Sequence, residues 1–262
     1  MSARAESVRW TLADWVVVMG RNLIHFRRQP QLILFSTVQP IMFVLLFAYV
    51  FGGAIEGSLP PGIDYIEFLI PGILIQATAF RSTMTAIGLA EDLERGVVDR
   101  FRSMPMARSA VLVGRTLADV VRSVFVIVLM IGVGYLIGFR FREGPLEALG
   151  AIGIVTLFGF ALSWIFAFIA LTVRGTEAVQ SAGFIGVFPL VFASSVFVPT
   201  TTMPDWLQAF ADISPVTVSA DAARALSIGG DAATPVLQTL LWTIGILAVF
   251  IPLCVWRYRR MG

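Results

Sequence analysis

Residues 91–115 read EDLERGVVDRFRSMPMARSAVLVGR, the longest charged stretch of an otherwise apolar chain. The stretch carries Glu91, Asp92, Glu94, Arg95, Asp99, Arg100, Arg102, Arg108 and Arg115. Apolar runs at 68–90 and 111–139 flank it, each long enough for a bilayer crossing. A hydrocarbon layer about 30 Å thick needs about 20 apolar residues per helix, and charges at its centre are costly. The charged block therefore lies in water, on one side of a membrane. The runs around it read as helices that enter and leave that membrane.

Composition agrees. Of 262 residues, 57% are hydrophobic and 14% charged, where a soluble domain carries about 25% charged. The apolar runs lack strand-like alternation, so the expected class is an all-α integral membrane protein and not a barrel. A net charge of +2 gives nucleic acid little electrostatic hold. All 19 basic residues are Arg. A Walker A loop needs a Lys to reach the nucleotide phosphates, so the chain is not a P-loop ATPase by itself. Cys254 and His25 are single, which excludes a disulfide framework and a Cys/His metal cluster. It also excludes most nucleophile-and-base pairs, so no catalytic residue and no enzyme activity is expected. No small-residue cleavage site follows the first apolar run, so a removed signal peptide is not expected.

Six spans are expected, at 32–51, 68–90, 111–139, 148–173, 178–198 and 236–256. Before them, 1–31 holds an amphipathic helix, with Leu12, Trp15, Val16, Met19, Leu23 and Phe26 at helical spacing. Its charges suit the membrane interface, where Trp sits at headgroup depth. Pro40 is expected to kink the first span. The connection 199–235 mixes Pro, Thr and Asp with short apolar pieces (Trp206, Leu207, Phe210, Ile213) that cannot cross. Residues 257–262 form a basic tail. Fourteen Arg fall on the side of the charged block and both termini, against Arg140, Arg142 and Arg224 on the other. The Arg-rich side is cytoplasmic by the positive-inside rule.

Two charges fall inside spans. Asp119 has Arg115 four residues before it and Arg122 three after, on one helix face. This reads as a ladder of ion pairs, with a coupling-ion role as the alternative. Arg81 lies about 14 Å from the cytoplasmic end of its span. It either pairs with Asp119 or meets an anionic substrate or lipid headgroup.

The segment LIPGILIQATAFRSTMTAIGLAEDLERGVVDRFRSMPMARSAVLVGRTLADVVR at 69–122 closely resembles the ABC-2 type permeases of the drug-resistance (daunorubicin exporter) group. QPIMFVLLFAYVFGGAI at 39–55 and MPDWLQAFADISPVTVSADAARAL at 203–226 extend the resemblance over nearly the whole chain. It implies a dimer of six-span permeases, self or sister, on two separate ATPase subunits. Those subunits would bind the ATP and Mg; this chain would carry no cofactor. The resemblance further implies that 91–104 is a coupling helix seated in an ATPase cleft and that 199–235 forms re-entrant helices at the outer mouth. The coupling residues would be Glu91, Leu93, Glu94, Arg95, Val97, Asp99, Arg100, Phe101 and Arg102. Mixed charges fix register, and apolar side chains among them give grip. Gly96 weakens that helix and Pro105 ends it.

By analogy with the family, spans one, two and five line the substrate path. Its candidates are Gln39, Phe43 and Phe47, then Gln76, Phe80 and Arg81, then Phe184, Phe188 and Phe192. The bland reading of these stripes is lipid contact or helix packing. An aromatic path would suit hydrophobic or amphiphilic drugs or lipids, exported across a bacterial inner membrane. A polysaccharide or glycolipid exporter of the same superfamily, and an ATP-independent channel or scaffold, stay open as alternatives.

Overall fold

The computed structural model describes residues 14–24, 30–97 and 110–260, with side chains for all but 30–36 and 110–112. Among the described residues every regular element is helical. A short helix α1 (14–24) precedes α2 (Pro30–Leu45), which continues through a π-helical Leu46–Phe51 into α3 (Gly52–Ile55). The long helices α4 (Tyr65–Glu94), α5 (Ala110–Ile137) and α6 (Pro145–Thr172) follow. Then come α7 (Thr176–Phe192), the short α8 (Asp205–Ile213) and α9 (Pro215–Ile228), and the long α10 (Ala233–Arg260).

Among the described residues five stretches are long and apolar enough to cross a membrane: Thr37–Ser58, Tyr65–Glu94, Val113–Ile137, Pro145–Thr172 and Ala233–Arg260. The protein is a multi-pass membrane protein. Helix ends depart from the sequence reading in a consistent way. The first span runs on to Ser58 through Gly52 and Gly53 instead of ending at 51. A glycine costs a helix about 1 kcal/mol, whereas a bare peptide group in hydrocarbon costs several. The helix therefore continues, and the π-turn takes up the irregularity without a break at Pro40. The second span likewise extends to Glu94.

The expected fifth span, at 178–198, is helical only from Thr176 to Phe192. Seventeen residues reach about 26 Å, short of a full crossing. The six residues after it form a non-helical turn in which Ser194, Ser195, Val196 and Phe197 are all buried. Among the described residues there are thus five helices of spanning length and a shorter sixth apolar helix completed by a buried turn.

Helices α4 and α6 form the centre, with 72% and 67% of their apolar windows buried inside the protein. The first span, α5 and α10 lie outside them, each less than 30% buried. Small residues set the close crossings, as membrane helices require in the absence of a hydrophobic drive between them. A Cβ on Gly159 of α6 would stand 2.0 Å from Thr78 Cγ2 of α4, and one on Gly183 of α7 3.3 Å from Thr83. Phe158, Leu162, Ile73 and Leu69 fill the layer between, all essentially sealed.

Candidate coupling node and substrate path

The charged block begins inside α4. Glu91–Glu94 form the last turn of that helix and not the first turn of a separate one. The break comes at Arg95 and Gly96. Arg95 N–H still donates to Glu91 O, and Gly96 N–H donates to Leu93 O. Gly96 sits at φ +66°, a left-handed stop that glycine alone takes without strain. Gly96 thus ends one helix, where the sequence reading had it weaken the middle of another. Val97 is again helical. Asp99, Arg100, Phe101 and Arg102 lie outside the described residues, as does Pro105.

The acid at the centre of this end is Asp92, which the sequence reading left out of its coupling set. One carboxylate oxygen accepts from Arg115 of α5 at 2.6 Å and the other from Arg21 of α1 at 3.2 Å. Arg115 reaches it by lying across Gly88, where a Cβ would stand 1.9 Å from the guanidinium. Glu94 accepts the backbone N–H of Thr176 at 2.9 Å, capping the first turn of α7. Leu93 packs against the core, while Glu91 and Arg95 make an outward pair at 3.5 Å. α1 is pinned by close contact: a Cβ on Gly114 of α5 would stand 2.7 Å from Val18 Cβ and 2.9 Å from Trp15 O. Helices α1, α4, α5 and α7 therefore meet at one end of the bundle.

The expected ladder along α5 is only half made. Arg122 pairs with Asp119 at 3.2 Å and also donates to Asn22 O of α1 at 2.8 Å. Arg115 turns away to Asp92. The other Asp119 oxygen accepts from Thr85 at 2.7 Å. Arg81 makes no hydrogen bond to Asp119, and its enclosed Nε has no partner among the described residues. The sequence places these charges on neighbouring helices, but rotation about α4 decides which of them touch.

The expected aromatic stripes form one continuous run of rings. Phe184 and Phe188 of α7 stand 6.1 and 6.4 Å from Phe80 of α4. Phe188 stacks on Phe192 at 4.3 Å, and Phe192 lies 6.2 Å from Phe43 of α2. Phe43 and Phe47 are stacked at 6.2 Å, and Phe51 extends the run from Phe47 at 5.3 Å. Phe197, in the buried turn, stacks on Phe47 at 4.2 Å and contacts Phe43 and Phe192. Phe51 and Phe197 escaped the sequence reading: Phe51 was placed at the end of a span and Phe197 inside a helix. Gln76, one turn before Phe80, is buried with Oε1 accepting no hydrogen bond among the described residues. Gln39 is exposed on α2. Arg81 is not on this face; it lines a cavity against α5 and α6.

A clamp at the Tyr65 end of α4 holds the buried turn, and no sequence signal pointed to it. Arg224 of α9, itself buried, donates to Ser195 O at 2.5 Å, Val196 O at 3.0 Å and Phe68 O at 2.9 Å. It also binds Asp221 at 2.7 Å and Ser195 Oγ at 2.9 Å, and lies over the Phe68 ring. Tyr65 Oη donates to Phe197 O at 2.8 Å, and Ser195 N–H to Thr217 Oγ1 at 3.1 Å. Every one of these bonds satisfies or orients polar groups that lipid could not. Nearby, Arg142 grips Glu67 through both carboxylate oxygens and donates to Gly62 O at 2.9 Å. The hydrogen bonds that Arg142 donates to Glu67 hold its guanidinium above its ordinary pKa. Backbone N–H of Arg142 donates to Ser227 O at the end of α9, at 2.9 Å.

The profile of ABC-2 type transporters matches residues 13–228, which spans this whole arrangement from α1 to α9. The chain belongs to the ABC-2 type transporter family. It is 36% identical to the daunorubicin resistance ABC transporter permease protein DrrB1 of Streptomyces coeruleorubidus, over 98% of this chain and 89% of that protein. It is 28% identical to the probable doxorubicin resistance ABC transporter permease protein DrrC of Mycobacterium tuberculosis, over 97% of this chain and 91% of that one. Half of a second protein from that organism, the doxorubicin resistance ABC transporter permease protein DrrB, matches at 31% over 147 residues. The chain is thus an ABC-2 permease similar to permeases of drug-resistance exporters. Within this family member, the charged node and the ring run are joined by α7: Glu94 caps its first turn, and its Phe residues supply the rings.

Proposed function

We propose that this permease is the membrane half of an ATP-driven exporter of hydrophobic or amphiphilic drugs or lipids in a bacterial inner membrane. ATP and Mg bind and react on a separate ATPase, present in two copies. A second permease chain, self or sister, completes the path. Both termini and the charged block face the cytoplasm. The observation that carries this reading is the hydrogen bond that Thr176 N–H donates to Glu94 at 2.9 Å. It joins the block expected to meet the ATPase to the helix that carries Phe184, Phe188 and Phe192.

The mechanism follows. Substrate enters between protomers from the inner leaflet or the cytoplasm and lies against the phenyl rings, which stack on flat apolar molecules. Gln76 Oε1, unpartnered among the described residues, offers an acceptor to a substrate hydroxyl or amine. Closure of the ATPases pushes the residues after Gly96. Glu94 and Asp92 pass that push to α7, α5 and α1 as a rigid-body shift, because packed helices move as units. The clamp around Arg224 then opens at the outer mouth, where α8 and α9 form short re-entrant helices.

The test is reconstitution with a co-purified ATPase and measurement of ATP hydrolysis with drugs, lipids and glycans. Drug or lipid stimulation that is lost in Phe101→Asp is the expected result. An ATPase that docks and fires normally after 97–104 is replaced by a glycine-serine tether refutes the coupling role. Stimulation by glycans alone refutes the substrate class.

A further inference from the structure

Helix α10 has two unlike faces. Thr239, Thr243, Ile246, Cys254 and Tyr258 are buried against the bundle, whereas Leu241, Trp242, Val249 and Trp256 are exposed. Arg259 and Arg260, three and four residues after Trp256, are exposed on the same side as its ring. The helix has 28 residues, and its charges, Arg257, Arg259 and Arg260, all fall in the last turn. At about 42 Å it outruns a hydrocarbon layer of about 30 Å. Trp256 then stands at headgroup depth, with the two guanidinium groups just beyond it. The Arg260 guanidinium lies 4.2 Å over the Trp256 ring, which keeps it beside the lipid-facing surface.

These cations are also short of acids. Among the described residues, Arg21 and Arg115 meet Asp92, Arg95 meets Glu91 and Arg122 meets Asp119. No described acid pairs with Arg257, Arg259 or Arg260, and no described carbonyl accepts from Arg259 or Arg260. Arg257 Nε donates to Leu171 O at 3.1 Å and so ties the basic turn to the end of α6. Arg174, exposed three residues after Leu171, adds a further positive charge there, against Glu177 in the first turn of α7.

We propose that the last turn of α10 binds the headgroup of an anionic phospholipid, with Arg259 and Arg260 on its phosphodiester and Trp256 against the top of its acyl chains. Guanidinium groups match phosphate oxygens in geometry as well as charge. An acidic protein surface is the poorer occupant, because these residues continue the lipid-facing stripe of α10. That helix packs on α6 and α9 and takes no part in the node of α1, α4, α5 and α7. Through Arg257 and Leu171 the bound headgroup steadies the end of α6, where the chain turns into α7. The proposal needs only that α10 crosses a membrane, so its failure leaves the exporter reading standing.

The experiment titrates the full-length chain in nonionic detergent with phosphatidylglycerol or phosphatidylcholine and counts bound lipid by native mass spectrometry. The expected result is a saturable adduct that favours phosphatidylglycerol. Arg259→Gln combined with Arg260→Gln is expected to lower that preference about 30-fold, about fivefold for each Arg at a lipid surface. Trp256→Leu, which removes the platform under Arg260, is expected to lower it several-fold. Arg140 is the control: it too lies over a ring, that of Tyr135, but its guanidinium already donates to Tyr135 O and Phe139 O. Arg140→Gln is expected to leave the preference unchanged. Equal binding of the two lipids overturns the proposal, as does full preference in the double variant or an equal loss in Arg140→Gln. Displacement of the adduct by soluble glycerol phosphate overturns it in favour of a free phosphate site. Loss of the co-purified ATPase from the double variant, with lipid preference intact, overturns it in favour of a protein contact.

Discussion

Replacing Gly72 by Ala tests the clamp directly. A Cβ at this position stands 2.3 Å from Val196 O and 2.9 Å from Arg224 Nη2. The first distance falls about 0.7 Å short of the 3.0 Å that real Cβ contacts keep. The obstacle is backbone carbonyl, which cannot rotate away as a side chain would. Either α4 backs off or the 193–198 turn lifts, and the Arg224 bond to Val196 O, now 3.0 Å, lengthens with it. Overpacking costs about 1–3 kcal/mol, and a hydrogen bond to a charged group is worth about 1.5–3 kcal/mol. The expected destabilisation is therefore about 3 kcal/mol or more, a fall in melting temperature of about 5–10 °C. The assay is thermal unfolding of the purified chain in detergent. Gly153→Ala in α6 is the control: its Cβ meets nothing within 4 Å, and the gain in helix propensity predicts no loss, or up to about 1 kcal/mol of stabilisation. A cycle with Arg224→Ala should be non-additive, since both changes strike one network. A Gly72→Ala protein that melts within about 1 °C of the parent would refute the reasoning.

Asp92→Asn should leave Arg115, only 13% exposed, beside no counter-charge, and should uncouple drug-stimulated ATP hydrolysis in the reconstituted complex while assembly persists; unchanged stimulation would remove Asp92 from the node. Gly88→Ala should give a milder version of the same defect, because the new methyl displaces only the end of the Arg115 side chain. Phe188→Ala, half exposed, should weaken export of aromatic drugs with little change in melting. Phe158→Ala, fully buried between α4 and α6, should instead cost about 3–5 kcal/mol of stability, read by thermal unfolding. Arg142→Gln removes a two-pronged grip on Glu67 and should raise proteolytic access to the 59–64 loop, measured by limited digestion.

Particular residues show what the order of amino acids determined. The charged block at 91–115 between two apolar runs implied water on one side and helices on both flanks, because so many charges cannot all be paired once they lose their hydration in hydrocarbon. Gln39, Phe43 and Phe47, and then Phe184, Phe188 and Phe192, each at every fourth position, implied two striped faces, since helical period follows from local geometry alone. Partner choice was decided only by tertiary structure. Arg115 reaches Asp92 on α4 and not Asp119 on its own helix because Gly88 leaves a channel for it. Arg81 and Phe80 are adjacent in sequence, about 100° apart around α4, yet one lines a polar cavity and the other meets the rings of α7. Arg224 read as an ordinary outer-loop charge and turned out to hold the buried turn that shortens α7. Local sequence sets period and polarity through the backbone, whereas the rotation and depth at which helices lock depend on small residues meeting across the bundle, from positions as distant as Gly72 and Val196.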